Sequence, residues 1–232
     1  MFGQGGHEPY AGALLRGSGR LTLRPVGTGV QDLAGPGPAA PVPVAIRPVH
    51  FSVRGLSSPA TAGERELLRN LRGPMLDVGC GPGRMLSAAR DQGLAAVGVD
   101  TSGPAVRLAT GRGGTVILGS IFGPIPREGE WGSALLLDGN VGIGGNVGVL
   151  LERLATLLSA HGQVMAEADR QDSLDASYLA VLEDSSGRRS DPFPWARVGA
   201  RALARHAEVV GLSVVATRRV QGRVFLTLGR RP

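Results

Sequence analysis

The stretch Met75-Leu76-Asp77-Val78-Gly79-Cys80-Gly81-Pro82-Gly83-Arg84 decides the fold. A short apolar run ends in an acidic residue, three glycines follow at alternate positions, and a helix-compatible segment from Met85 to Arg90 comes next. A buried parallel strand turns into a helix around a ligand in this way. Glycine accepts positive φ and, having no Cβ, lets backbone lie against a ligand face. The helix start adds free N–H groups and the positive end of a dipole. Asp77, at the strand's end, is placed to accept hydrogen bonds from a cationic or hydroxylated ligand. The spacing is D-x-G-x-G-x-G, not the dinucleotide pattern G-x-G-x-x-G, because Arg84 holds the third glycine's place. A phosphate loop is also excluded, since the chain has no lysine. An acidic residue two positions before the first glycine repels a pyrophosphate and suits a ligand carrying an ammonium group.

Upstream, Thr61-Ala62-Gly63-Glu64 reads as a capping box at the start of a helix carrying Leu67, Leu68 and Leu71, which Gly73-Pro74 stops. Downstream, a helix from Arg84 to Gln92 leads to a second buried strand, Ala95 to Val99, closed by Asp100. Asp100 lies 23 residues after Asp77, the separation expected of a carboxylate that takes a ribose diol. Its two oxygens suit adjacent hydroxyls. Thr101-Ser102-Gly103-Pro104 starts the next helix, and Thr115 to Leu118 is the third strand, followed by Gly119-Ser120-Ile121-Phe122. The fourth strand, Ser133 to Leu137, ends at Asp138-Gly139-Asn140. Asn146 reads as the N-cap of a helix ending near His161-Gly162, and Gln163 to Ala168 as the fifth strand. Residues 169–191 look polar and irregular; Pro192 to Trp195 then leads into a helix from Val198 to Val210. Leu212 to Arg219 and Arg223 to Leu228 read as a closing antiparallel pair. Alternation of this kind, with near-continuous apolar strands, predicts a parallel sheet covered on both faces. Its ligand lies beyond the strands' carboxyl ends, where Asp77, Asp100, Ser120 and Asp138 all fall.

The stretch LDVGCGPG resembles motif I of the class I S-adenosylmethionine-dependent methyltransferases, and the likeness extends over about Glu64 to Leu228. Two further phrases, WGSALLLDGNVGIGG and PFPWARVGARAL, resemble small methyltransferase-like proteins of actinobacterial type. The resemblance implies a three-layer, Rossmann-like α/β fold whose seven-stranded sheet is mostly parallel with the last strand antiparallel. It implies S-adenosylmethionine as cofactor, met by Asp77, Gly79, Cys80, Gly81, Gly83, Asp100 and Thr101. The place after the third strand usually carries an acidic residue for the adenine amino group. Ser120 departs from that, leaving the contact to its hydroxyl or to backbone, with Ile121 and Phe122 as candidate neighbours of the ring.

Asp138 is the candidate base or orienter of a methyl acceptor, and Asn140 its candidate positioning partner. Trp195 reads as an acceptor wall or as an anchor of the last helix, and Tyr10 as a group closing over the donor. Cys80 has no local His or Lys to activate it and reads as a small filler. The four histidines form no metal-ligand pattern.

The first 60 residues differ from the rest. Gly27 to Pro43 is rich in Gly, Pro and Ala and reads as a mobile loop. Before it, Tyr10 to Leu15 fits a short helix and Arg20 to Arg24 an edge strand. The expected division is thus an irregular N-terminal extension, 1–60, and a donor-binding domain, 61–232. The net charge of +6 on 232 residues comes from arginines spread along the chain, with no aromatic-interleaved basic stripe for nucleic acid. No signal-like start and no long apolar run is present, so a cytoplasmic protein acting on a small molecule is expected, its oligomeric state open. A nicotinamide-linked oxidoreductase, a donor-binding protein without chemistry and an RNA methyltransferase remain as alternatives.

Overall fold

The computed structural model describes residues 9–26 and 46–230; the loop expected at Gly27 to Pro43 lies outside them. In chain order the elements are α1 (Pro9–Arg16), β1 (Arg20–Pro25), β2 (Val49–Ser52), α2 (Val53–Ser57), α3 (Ala62–Leu68), β3 (Met75–Val78), α4 (Arg84–Asp91), β4 (Ala96–Asp100), α5 (Gly103–Gly111), β5 (Thr115–Leu118), β6 (Trp131–Leu136), α6 (Val147–Leu157), β7 (Leu158–Ala168), β8 (Asp175–Asp184), β9 (Phe193–Val198), α7 (Ala200–Val209), β10 (Leu212–Val220) and β11 (Arg223–Arg230).

Seven strands form the main sheet in the order β10-β11-β7-β6-β3-β4-β5. Strands β3 to β7 pair in parallel, while β11 runs antiparallel to both β7 and β10. The sheet is therefore the expected one, with the last strand reversed. Alternation along each strand sorts the side chains into two layers. Leu76, Ala134, Leu136, Val164, Leu226 and Leu228 pack with α6 and α7 on one face. Met75, Leu135, Leu137, Met165 and Phe225 pack with α3 and α4 on the other. Leu76, Leu135 and Leu136 are fully buried, each contributing about 1.5–3 kcal/mol of transfer free energy. The capping box forms as read: Glu64 N–H donates to Thr61 Oγ1 at 3.2 Å, and Thr61 N–H to Glu64 Oε2 at 2.9 Å. Asn146 caps α6 by accepting from Val149 N–H at 3.1 Å.

A second, antiparallel sheet lies in the order β2-β1-β8-β9, and it corrects three sequence readings. Residues 175–184 are not irregular but a ten-residue strand, in which Ala176, Tyr178, Ala180 and Leu182 point inward at period two. Phe193–Val198 is a strand, so the following helix starts only at Ala200. Strand β1 is not an edge, because it sits between β2 and β8. His161 is not a helix terminus either, since α6 ends at Leu157 and β7 already begins at Leu158. The inner face of the second sheet packs Leu21, Leu23, Tyr178, Phe193 and Trp195 against Tyr10, Ala13 and Leu14 of α1. The N-terminal segment and the 175–198 segment thus build one roof.

Candidate functional site

A cavity of about 930 Å³ opens between this roof and the carboxyl ends of the parallel strands. Its floor is the glycine loop, which leaves β3 between β4 and β6, where the order of connections reverses. Gly79, Gly81 and Gly83 all have positive φ. Two of them answer to protein packing. A Cβ on Gly79 would lie 2.7 Å from Asn140 Nδ2, and one on Gly83 would lie 2.7 Å from Ala109 of α5. Gly81 faces the roof instead, with Tyr10 Oη 3.3 Å from its would-be Cβ.

Asp100 lines the cavity. Its Oδ2 accepts from Gly81 N–H and its Oδ1 from Ser102 N–H, both at 2.8 Å. Burial pushes its carboxyl above the ordinary range against those backbone donors. Asp77 sits one residue behind the wall that Val78 and Gly79 form, 3% exposed. Its Oδ2 is the buried side-chain polar atom left without a hydrogen-bond partner among the described residues. Burial lifts its carboxyl to about 7; Arg84 opposes the rise, and Asp138 and Asp100 add to it. An orphaned carboxylate oxygen of this kind is costly and marks a place for a cationic or donor group.

Cys80, Thr101, Ser120 and Ile121 also line the cavity, while Gly83 does not. Ser120 Oγ accepts from Phe122 N–H at 3.2 Å, closing the turn after β5. The Cys80 thiol is buried, and burial together with the Asp77 and Asp100 carboxylates pushes it far up. Its place is structural, against Gly98 of β4.

Asp138 follows β6 in a left-handed conformation, φ +54°, and both its oxygens are taken. Oδ2 accepts from Arg84 at 2.5 Å and Oδ1 from Arg223 at 3.0 Å. Arg84 also reaches Glu64 Oε1 at 2.6 Å, and Arg223 reaches Glu64 at 2.7 Å and Glu167 Oε2 at 2.6 Å. Five charged groups from α3, α4, β7, β11 and the 138 turn thus form one network. Asn140 Nδ2 donates to the carbonyls of Val78 and Gly79 at 2.8 and 3.0 Å, tying the 138–142 turn to the glycine loop.

Sequence reasoning did not assign Arg84, Glu64, Glu167 or Arg223 to the site. Arg84 stood out only as the residue that spoils the dinucleotide pattern. A signal was present for Glu167, which lies at a parallel strand's carboxyl end. None was present for Arg223, which reaches the site across the sheet. The glycine-rich stretch 142–145 also gains a reason. A Cβ on Gly142 would lie 2.1 Å from the Ala196 carbonyl oxygen, and one on Gly145 2.7 Å from Pro194 Cβ. The turn is stripped of side chains so that β9 seats on it, with Ile143 bridging to Trp195. Trp195 is therefore both cavity wall and buried core residue.

Residues 76–125 match the family model of the methyltransferase domain. Over that stretch the chain is similar to the methyltransferase-domain family. Solved structures share the fold of this domain. A methyltransferase from Bacteroides fragilis, in complex with S-adenosyl-L-homocysteine, aligns with a TM-score of 0.74 and 16% identity over 97% of this chain and 95% of its own. The 1,6-didemethyltoxoflavin-N1-methyltransferase of Burkholderia thailandensis aligns at 0.54, with 18% identity over 74% and 79%. A glycopeptide N-methyltransferase aligns at 0.58, with 13% identity over 75% and 97%. No curated protein matches the chain in sequence. No helix among the described residues is long and apolar enough to cross a membrane, and none of their His, Cys, Asp and Glu side chains cluster as metal ligands.

Proposed function

We propose that the protein transfers the methyl group of S-adenosylmethionine to a small-molecule acceptor. The donor fits the residues present. Asp77 offers an unsatisfied carboxylate oxygen beneath the glycine loop to the ammonium end, and Asp100 faces the cavity for the ribose diol. Gly79, Cys80, Gly81 and Thr101 supply the surface between them, while Gly83 starts α4 behind it. Ser120 and Ile121 take the adenine edge. When bound, S-adenosylmethionine supplies a methyl on a sulfonium leaving group, open to direct displacement.

Alignment and exclusion of water are what the protein must add, worth about 7–11 kcal/mol in favourable cases. The roof and Tyr10 exclude water. Asn140 fixes the glycine loop against the turn that carries Asp138. Of the two roles open to Asp138, base or orienter, we assign the orienter. Two guanidiniums compete for its lone pairs, so it holds geometry and leaves proton removal to the acceptor's own acidity. The chain divides into an extension, 1–60, that helps roof the site and a donor-binding domain, 61–232. Under this reading the reaction takes place in the cytoplasm.

The observation that carries the acceptor class is the size of the roofed cavity. About 930 Å³ lies within the roughly 300–1,000 Å³ of ligand pockets, enough for a nucleoside and a small partner under a second sheet. The didemethyltoxoflavin enzyme, itself named for a small acceptor, shares the fold. The test is incubation with radiolabelled donor and a whole extract, beside calorimetry with S-adenosylhomocysteine and NAD. Label in the low-mass fraction and heat with S-adenosylhomocysteine alone are expected. Label in RNA or protein, or binding of NAD instead, overturns the reading.

A further inference from the structure

The roof side of the cavity has a composition of its own. Its walls are Leu23, Phe51, Leu56, Ile143, Phe193 and Trp195. The Phe193 and Trp195 rings meet edge to face, 5.9 Å apart at 88°, which presents a rigid aromatic surface. Most charged groups lining the cavity are paired within the protein. Arg84 and Arg223 hold Asp138, and Arg223 also holds Glu167. Arg197 grips Asp169 through two nitrogens, at 2.7 and 2.9 Å.

Arg170 is the exception. It lies just past the carboxyl end of β7, lines the cavity and is exposed. Among the described residues it makes no hydrogen bond and no ion pair. Strand β7 pairs with β6, so Arg170 stands on the same rim as Asp138, on the side of the sheet opposite β4 and Asp100. A cavity with apolar, aromatic walls and one uncommitted guanidinium complements a ligand with a flat apolar body and one negative group. The guanidinium fork matches carboxylate or phosphate oxygens in a two-point contact.

We infer that the acceptor is a small anionic molecule with an apolar or aromatic body, and that Arg170 sets specificity by holding its carboxylate or phosphate. This rests on the methyltransferase reading above.

The test uses the full chain with radiolabelled donor and a low-mass extract, the labelled product being run over an anion exchanger. Wild type should yield a retained product. Arg170→Glu should lower kcat/KM for that product by about tenfold to a hundredfold, the effect of losing a charge-assisted contact. Its affinity for S-adenosylhomocysteine in calorimetry should stay unchanged, which also shows that the variant folds. A labelled product that passes the exchanger unretained overturns the inference. So does Arg170→Glu with unaltered turnover. Tight S-adenosylhomocysteine binding with no label in any fraction defeats the methyltransferase reading itself, a different result from either of those.

Discussion

Replacing Asp77 by Asn separates a ligand-binding carboxylate from a structural one. Asp77 is 3% exposed, and one of its oxygens has no partner among the described residues. Its folded carboxyl titrates at about 7 against an ordinary 3.8. The sign follows from linkage: the folded state holds the proton more tightly, so this contribution to stability is full below pH 3.8 and is lost as pH rises through 7. The gap between those values is worth about 4 kcal/mol against the ionised folded state. Asn keeps the shape and cannot ionise, although its buried amide brings an unmet donor costing about 1–3 kcal/mol. Asp77→Asn should therefore unfold at higher urea than wild type at pH 8, by roughly 1–3 kcal/mol, with the advantage gone near pH 4.

Donor affinity should move the other way. Losing a charged hydrogen-bond partner costs about 1.5–3 kcal/mol, or tenfold to more than a hundredfold in Kd. Calorimetry with S-adenosylhomocysteine from pH 6 to 8 reads both effects. Wild-type affinity should fall by up to about tenfold per pH unit below 7, with Arg84, Asp138 and Asp100 as the charged groups around Asp77. The variant's affinity should be weak and flat with pH. A more stable Asp77→Asn that binds as tightly as wild type would refute the ligand role and leave Asp77 a purely structural acid.

Arg223→Leu leaves Glu64 and Asp138 with Arg84 alone and Glu167 with no arginine partner, and also removes the cation over the Phe225 ring at 5.1 Å. Breaking buried pairs costs about 3–5 kcal/mol; with Asp138 36% exposed, a loss of about 2–4 kcal/mol in urea unfolding is expected. Glu64 is held below its ordinary 4.5 because its bond from Thr61 and the two arginines outweigh the opposing effect of burial. Wild type should therefore lose stability as pH falls below about 4.5, and Arg223→Leu should lose less. Cys80 should resist iodoacetamide in the folded protein at pH 8 and react fully in urea, since its thiol is buried and pushed up beside two carboxylates; native labelling at the rate of a free thiol would show that the glycine loop opens.

How much of this was legible before the structure depended on the range of the interactions. Strands β3, β4 and β6 announce themselves, because a strand buried on both faces must be apolar throughout and each ends in a local turn signal. Asp77 and Asp100 could be placed at the carboxyl ends of β3 and β4 by counting along the chain. The roof could not. Strand β1 pairs with β8 more than 150 residues away, Leu21 opposite Asp184, and no local pattern specifies that partner. Within β8 the inward alternation was present but masked, since Val181 is also buried and a run of polar residues follows.

The glycines of 142–145 show the same limit from the other side. In sequence they signal freedom, yet in the fold they are tightly constrained, because β9, and at Gly144 the Phe122 ring, occupy the space their side chains would need. Arg84 follows the same logic. Read locally it breaks a fingerprint; in the fold it joins Glu64, 20 residues before it, to Asp138, 54 residues after it. Position at a strand's end put Asp138 at the cavity, which it lines, but position carries no charge balance. Two arginines and three carboxylates around that turn make a rigid, interlocked frame, and under the proposed reading a carboxylate with both oxygens engaged there orients a nucleophile. The chemistry then rests with the acceptor under the proposed reading, and among the described residues Arg170 is the cavity-lining arginine left without an ion pair, which is why the proposal reads the acceptor's charge from it.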